Sequence, residues 1–275
     1  MENLKIEIIN TTKQIGDLVD WLVLRHAPET NSPPTMYIDL EGVNLCREGT
    51  MSIFTLLIDT GNPTKRVCLV DSHSLGPQAF TTPGISQKTL KDILENEKIP
   101  KVFFDVRNDS DALFAHFGVA LRGVHDIQLM ESATRRTTRS RKFLNGLAKC
   151  IERILVGREL ASWKLAKEKG AQLFKDEHGG SSEIFNKRPI PSEIISYCVA
   201  DVQFLPKLWG QFHRMKTNEW RHLVKEEAKK RVAESQRSDY KPNGRHKALA
   251  PWNEEQNKTL DEWNYASFDD FFGRG

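Results

Sequence analysis

Cysteine is scarce in this 275-residue chain, and the four present, Cys46, Cys68, Cys150 and Cys198, lie far apart with no C-x-x-C pair among them. That argues against a disulfide framework and a structural zinc site. The expectation is a reduced, intracellular protein, with nothing to separate cytoplasm from nucleus. Long apolar runs are missing too. None approaches the ~18–20 residues that a membrane span needs. The start MENLKIEIINTTK has no basic stretch followed by an apolar one, so no secretory signal is expected. No internal repeat is visible. Net charge is also nearly absent, because 40 basic and 37 acidic residues leave only +3. This near-cancellation hides a segregation: residues 214–247 hold eleven basic and five acidic side chains, and residues 248–275 two basic and six acidic ones. A basic segment therefore precedes an acidic tail.

The remaining composition, 39% apolar and 28% charged, suits a soluble globular protein of one large domain plus an extension, or two small domains. KIEIIN alternates as a short strand, and Thr11 or Thr12 can cap a helix over residues 14–25. After the breaker Pro33-Pro34 come three β-like runs, MYIDLEGV, SIFTLLIDTG and RVCLVD, joined by short turns; an antiparallel meander is the simplest arrangement. Ser86 is the expected cap of a helix in QKTLKDILENE. KVFFDV then reads as a buried strand followed by a helix in DSDALFAHF, and strand–helix alternation continues through VHDIQLMESA. Residues 143–155 have helical apolar spacing. The Gly-, Ser- and Pro-rich stretch 174–191 is a loop long enough to suspect of function. The segment from Ser192 is helical, with Pro206 expected to kink or interrupt it. The main domain is expected to end near residue 216, followed by a basic helix over residues 220–235 and an irregular tail rich in Trp, Phe, Asp and Glu.

Three acidic features stand out. Asp39 and Glu41 are one residue apart on a strand, so both point to one face. Two adjacent carboxylates repel, and such a pair either sits in water, as on an exposed edge strand, or holds a cation. The flanking Tyr37, Ile38, Leu40 and Val43 favour an interior strand. Tyr197 and Asp201 share a helix face four residues apart, a spacing that also serves a local hydrogen bond. Asp109 stands where KVFFDV gives way to a helix, a position that suits an N-cap. Asp105 and Asp111 compete with it for any catalytic assignment.

Together these pieces resemble the DEDD superfamily of 3′→5′ exonucleases in its tyrosine-containing branch, which includes ribonuclease D, the nuclear exosome exonuclease, the Werner-type exonuclease and the proofreading domain of bacterial DNA polymerase. Asp39-Leu40-Glu41 matches the first motif. Strand length places the second-motif Asp at Asp109, not Asp105. Tyr197-Cys-Val-Ala-Asp201 matches the third, and VQFLPKLW after it, FLNGLAKCIE and KRPIP before it are similar to ribonuclease D-like proteins. The other branch has His five residues before the last Asp, where this chain has Ser196. The similarity spans roughly residues 35–212. Stand-alone exonuclease-domain proteins are most alike, and some members of that group have lost carboxylates and serve as RNA-binding adaptors.

The resemblance implies an α/β, ribonuclease H-like fold: a mixed sheet, antiparallel meander plus parallel strands, flanked by helices, with a helical C-terminal extension. It also implies hydrolysis of phosphodiester bonds from the 3′ end of single-stranded nucleic acid, RNA favoured over DNA. Asp39, Glu41, Asp109 and Asp201 would hold two divalent ions, Mg²⁺ or Mn²⁺, which prefer hard oxygen ligands and sit about 3.5–4 Å apart in two-metal sites. Tyr197 would orient the attacking water, and Glu41 would accept a hydrogen bond from that water or from the 3′-hydroxyl. Arg135, Arg136, Arg139, Arg141 and Lys142, in a stretch without acid, suit either phosphate contact or a solvated loop. The basic segment after residue 213 permits phosphate contact or a solvated helix. Trp163, Phe185 and Trp209 are candidates for base stacking or for the core. The acidic, aromatic tail suits either a protein partner or packing back on the domain. With all five motif positions filled, the expected function is an active exonuclease; the rival is a non-cutting adaptor of the same fold.

Overall fold

The computed structural model describes residues 3–26, 34–214 and 217–272. Pro33 and the boundary expected near residue 216 lie outside the described residues. Six strands form one sheet: β1 (Asn3–Ile9), β2 (Met36–Glu41), β3 (Ile53–Ile58), β4 (Thr64–Val70), β5 (Lys101–Phe103) and β6 (Val124–Asp126), in the order β1-β4-β3-β2-β5-β6. Strands β2, β3 and β4 make the expected antiparallel meander; β1 adds in parallel to β4, and β5 and β6 continue in parallel from β2. This is the mixed sheet of a ribonuclease H-like α/β fold.

Helices flank the sheet: α1 (Thr12–His26), α2 (Arg107–Phe117), α3 (Ile127–Ala133), α4 (Gly157–Phe174), α5 (Ser192–Val202), α6 (Leu205–Arg214), α7 (Asn218–Ser235) and α8 (Glu254–Phe272), with shorter helices in the connections. Strand periodicity sorts β2 between two cores. Met36, Ile38 and Leu40 pack with Ile15, Leu18 and Leu22 of α1. Tyr37 faces the opposite core with Ile194, Cys198 and Val202 of α5. Asp39 and Glu41 continue the Tyr37 side, so alternation alone turns both carboxylates toward α5. All four cysteines are buried free thiols.

Several expectations shift. The Ser86 helix instead starts at Leu90, because Thr89 and Asp92 form a reciprocal capping box three residues later. Pro206 does interrupt its helix: α5 stops at Val202 and α6 restarts at Leu205, placing the proline in a first turn where its missing N–H is not needed. The tail expected to be irregular forms α8. Asn253 and Gln256 each accept a hydrogen bond from the other's backbone N–H at its start, and Leu260 is fully buried. Asn264 donates to the carbonyl of Ala133, and Trp252 to the hydroxyl of Ser132. Trp252, Leu260 and Asn264 thus pack back on the domain. Among the described residues, no helix is long and apolar enough to cross a membrane.

The extension is riveted to the sheet by a buried ion pair. Arg231 of α7 donates to Asp126 at the end of β6 at 2.8 Å and to Gln128 at 3.0 Å. Asp126 is fully buried and also accepts from the backbone N–H groups of Asp105, Val106, Gln128 and Leu129. Removing one partner of such a pair strands the other charge. Arg231→Met is therefore expected to lower stability to urea by about 3–5 kcal/mol; a loss below about 1 kcal/mol would show that α7 is not fastened through this contact.

Candidate active site

Helix α5 meets β2 at the end of the strand. Asp39 and Glu41 project from the strand and Asp201 from α5, and one carboxylate oxygen from each lies within 4.8 Å of the others. Asp39 and Glu41 are partly exposed, whereas Asp201 is buried. Asp109 sits in the first turn of α2, buried, outside this tight group. It is not the N-cap its position suited: Val106 occupies that place and makes no side-chain cap. Its charge is felt by Glu41, and Asp39 is the charge that acts on it most strongly.

The competing aspartates are held elsewhere. Asp105 takes both guanidinium donors of Arg107 at 2.6 Å, and Arg231 approaches it at 3.7 Å. Asp111 is bound by the backbone N–H of Arg47 at 2.8 Å and by its Nε at 2.6 Å. Arg47 also donates to the carbonyls of Ser235 and Ser238, tying α2 to the C-terminal segment.

Electrostatics set the group apart. Burial, the repulsion of Asp201 and the opposing pull of Lys167 leave the Asp39 carboxyl well above its ordinary range. Glu41 is pushed up likewise by burial, Asp39 and Asp201. Asp109 is raised by burial, Asp39 and Asp105. Asp201 is raised by burial in spite of Lys167. Lys167 alone does not offset the crowded carboxylates, and bound cations would relieve that shortfall of positive charge. Its donors are all carboxylate oxygens, which fits Mg²⁺ or Mn²⁺.

Tyr197 is half-buried one helical turn before Asp201, with its ring edge-on to Phe174 at 5.1 Å. Burial and the negative charges of Glu41, Asp201 and Asp39 raise its hydroxyl above the ordinary tyrosine range. The shift keeps the hydroxyl protonated and so able to donate a hydrogen bond.

Lys167 of α4 was absent from the sequence reading. Its ammonium donates to both carboxylate oxygens of Asp201, at 2.6 Å to Oδ1, and stands 3.2 Å from the centre of the Tyr197 ring. A signal existed: Trp163, Lys167 and Gly170 are spaced i, i+4, i+7, one helical stripe. Trp163 is buried and donates to the carbonyl of Ala200, and Gly170 lies against Tyr197. A second unforeseen cation, Lys247 of the C-terminal segment, bonds Asn108 and lowers the Asp109 carboxyl's shift.

The five-residue basic stretch does not stay together. Arg141 is buried and bound to Asp261 and Asn257 of α8. Arg135 is paired with the buried Glu131 and donates to two backbone carbonyls. Arg136, Arg139 and Lys142 are exposed. The stacking candidates are core residues: Phe185 packs on Phe174, and Trp209 lies between His125 and His213 and donates to His125. The long connection over residues 174–191 is anchored by Arg188, which forks onto Asp71 at 2.6 and 2.7 Å.

Residues 23–216 match the family model described as a 3′-5′ exonuclease. The mouse piRNA biogenesis protein EXD1 is 34% identical over 91 residues, 33% of this chain but only 14% of that protein's length. The structure is similar to Trypanosoma brucei RNase D in complex with GMP, with a TM-score of 0.69 and 18% identity over 96% of this chain and 72% of that one. The same enzyme with RNA U12 gives a TM-score of 0.67 at 18% identity over 94% of this chain and 79% of that one. Brucella melitensis NrnC with bound Mg²⁺ gives a TM-score of 0.53 at 15% identity over 88% of this chain and 99% of that one.

Gly170 permits the close approach of α4 to α5, since a Cβ there would stand 2.5 Å from the Tyr197 Cβ. Helix propensity alone favours Ala over Gly by roughly 1 kcal/mol. Gly170→Ala is nevertheless expected to destabilise, because overpacking costs about 1–3 kcal/mol, and to displace Tyr197. Chemical denaturation reads the sign; a more stable variant would mean that the two helices separate freely.

Proposed function

The chain belongs to the 3′-5′ exonuclease family, and from that membership we propose that it hydrolyses phosphodiester bonds from the 3′ end of single-stranded nucleic acid, RNA in preference to DNA. One observation carries this reading: Asp39, Glu41 and Asp201 converge within 4.8 Å beside Tyr197, with Asp109 coupled to them through its charge. The RNA preference draws on RNase D with RNA U12, and the ion requirement on NrnC with Mg²⁺. In this reading residues 1–216 carry the chemistry and residues 217–275 brace it.

Asp39, Glu41, Asp109 and Asp201 would hold two divalent ions, Mg²⁺ or Mn²⁺. Such ions supply neutralisation at the attacking and leaving oxygens and a more acidic water. The protein's own groups do the rest. Tyr197, kept protonated, donates to the attacking water and orients it. Glu41 accepts a hydrogen bond from that water or from the terminal 3′-hydroxyl. Of the basic stretch, the exposed Arg136, Arg139 and Lys142 would be the members to meet phosphates.

A second reading, a nucleic-acid-binding adaptor that does not cut, draws on the Lys167 ammonium standing on Asp201. The two separate in one assay with 5′-labelled RNA and DNA oligomers. Shortening from the 3′ end is expected with Mg²⁺ or Mn²⁺, RNA faster than DNA, and none with EDTA or in a folded Asp39→Ala variant. Binding without shortening in the presence of either ion would establish the adaptor.

Tyr197→Phe keeps the ring and removes the donor. The expected result is a rate loss on the order of 10²–10³ with nearly unchanged affinity for an uncleavable oligomer. Equal losses in rate and affinity would make Tyr197 a substrate contact instead.

A further inference from the structure

Lys167 reaches into the carboxylate cluster from α4, a helix that supplies none of its acidic members. Both oxygens of Asp201 accept from its ammonium, with Oδ1 at 2.6 Å, and the ring of Tyr197 lies 3.2 Å away. The same charge is felt by Asp39 and Glu41. Trp163 and Gly170 on the same helical stripe clamp α4 against α5, so the lysine stem starts from a fixed point. The side chain is nevertheless 21% exposed, which leaves the ammonium a route toward solvent.

An ammonium that engages both oxygens of a carboxylate competes with a small divalent ion for the same negative charge. Mg²⁺ needs an oxygen at about 2.0–2.1 Å, which would bring two cations together on one carboxylate. Three carboxylates facing one lysine still leave the cluster negative, so the lysine lessens the attraction for metal without satisfying it.

We propose that Lys167 is a resident cation of the active site: it occupies the position on Asp201 that a divalent ion takes, and must leave that carboxylate before the site is fully loaded. Lys167 is thus a positioning residue that sets the metal concentration the protein requires. This rests on the divalent-ion site proposed above.

The test measures Mn²⁺ binding without nucleic acid, by the electron paramagnetic resonance of the free ion, in the wild-type chain, Lys167→Met and Lys167→Arg. Methionine keeps an apolar stem over Tyr197 and removes the charge. Affinity of the weaker site is expected to tighten roughly tenfold or more in Lys167→Met, and to stay weak in Lys167→Arg. The rise in melting temperature on adding Mn²⁺ should be larger for Lys167→Met than for wild type. A purely structural lysine would lower the metal-free melting temperature and leave Mn²⁺ affinity unmoved. Equal affinities in all three proteins overturn the inference and leave the metal centre standing. If none of them binds Mn²⁺, the metal centre and the inference fall together. Should Lys167→Met not fold without metal, Lys167→Gln takes its place with the same expectations.

Discussion

Like charge held at close range is the constraint around which this molecule is organised. Two carboxylates about 4 Å apart repel by roughly 4 kcal/mol at an effective dielectric near 20, whereas burying one Leu or Ile side chain contributes about 1.5–3 kcal/mol. Holding Asp39, Glu41 and Asp201 within 4.8 Å therefore takes several buried apolar side chains on each contributing element. β2 has Ile38 and Leu40 in one core and is hydrogen-bonded to neighbours on both sides. α5 has Ile194, Cys198 and Val202 in the other. The cluster sits on the α5 side of β2, and each element is anchored in a core, so neither can recede to relieve the repulsion without opening one.

The second layer of support is electrostatic. Three aspartates near the cluster have their own cations: Asp105 has Arg107, Asp111 has Arg47, and Asp126 has Arg231. Two of these cations act across long sequence separations. Arg231 comes from α7, and Arg47 reaches back to the end of that helix. The basic surplus after residue 213 is thus spent partly on fastening the extension. The same holds in the 133–142 stretch, where Arg141 pins α8 through Asp261 and Asn257. What remains for the central carboxylates is Lys167 on Asp201 and the more distant Lys247 near Asp109.

Strand and helix periodicity made much of the framework legible. The alternation of MYIDLE placed Asp39 and Glu41 on one side of β2, and the i, i+4 spacing placed Tyr197 above Asp201. The strand length of KVFFDV favoured Asp109 over Asp105 for the second motif, and Asp105 is paired with Arg107. Caps were legible in kind but not always in position: Ser86 and Thr89 are both good caps, and the reciprocal bond to Asp92 chose Thr89. The tail was misread because its aromatic and acidic content drew attention from Asn253 and Gln256, which start a helix.

Sequence by itself determined the residue types, their local faces and the order of the motifs, since these depend on backbone periods that repeat within a few residues. Tertiary structure alone decided which charge meets which. Arg135, Arg136, Arg139, Arg141 and Lys142 are equivalent cations along the chain, yet Arg141 is buried in an ion pair with a residue 120 positions away while Lys142 is exposed. Lys167 is one of three lysines in KLAKEK, yet it alone of the three stands on Asp201. Electrostatic energy falls with distance in space and not along the chain, so the partner of a charge is settled only when packing brings the elements together.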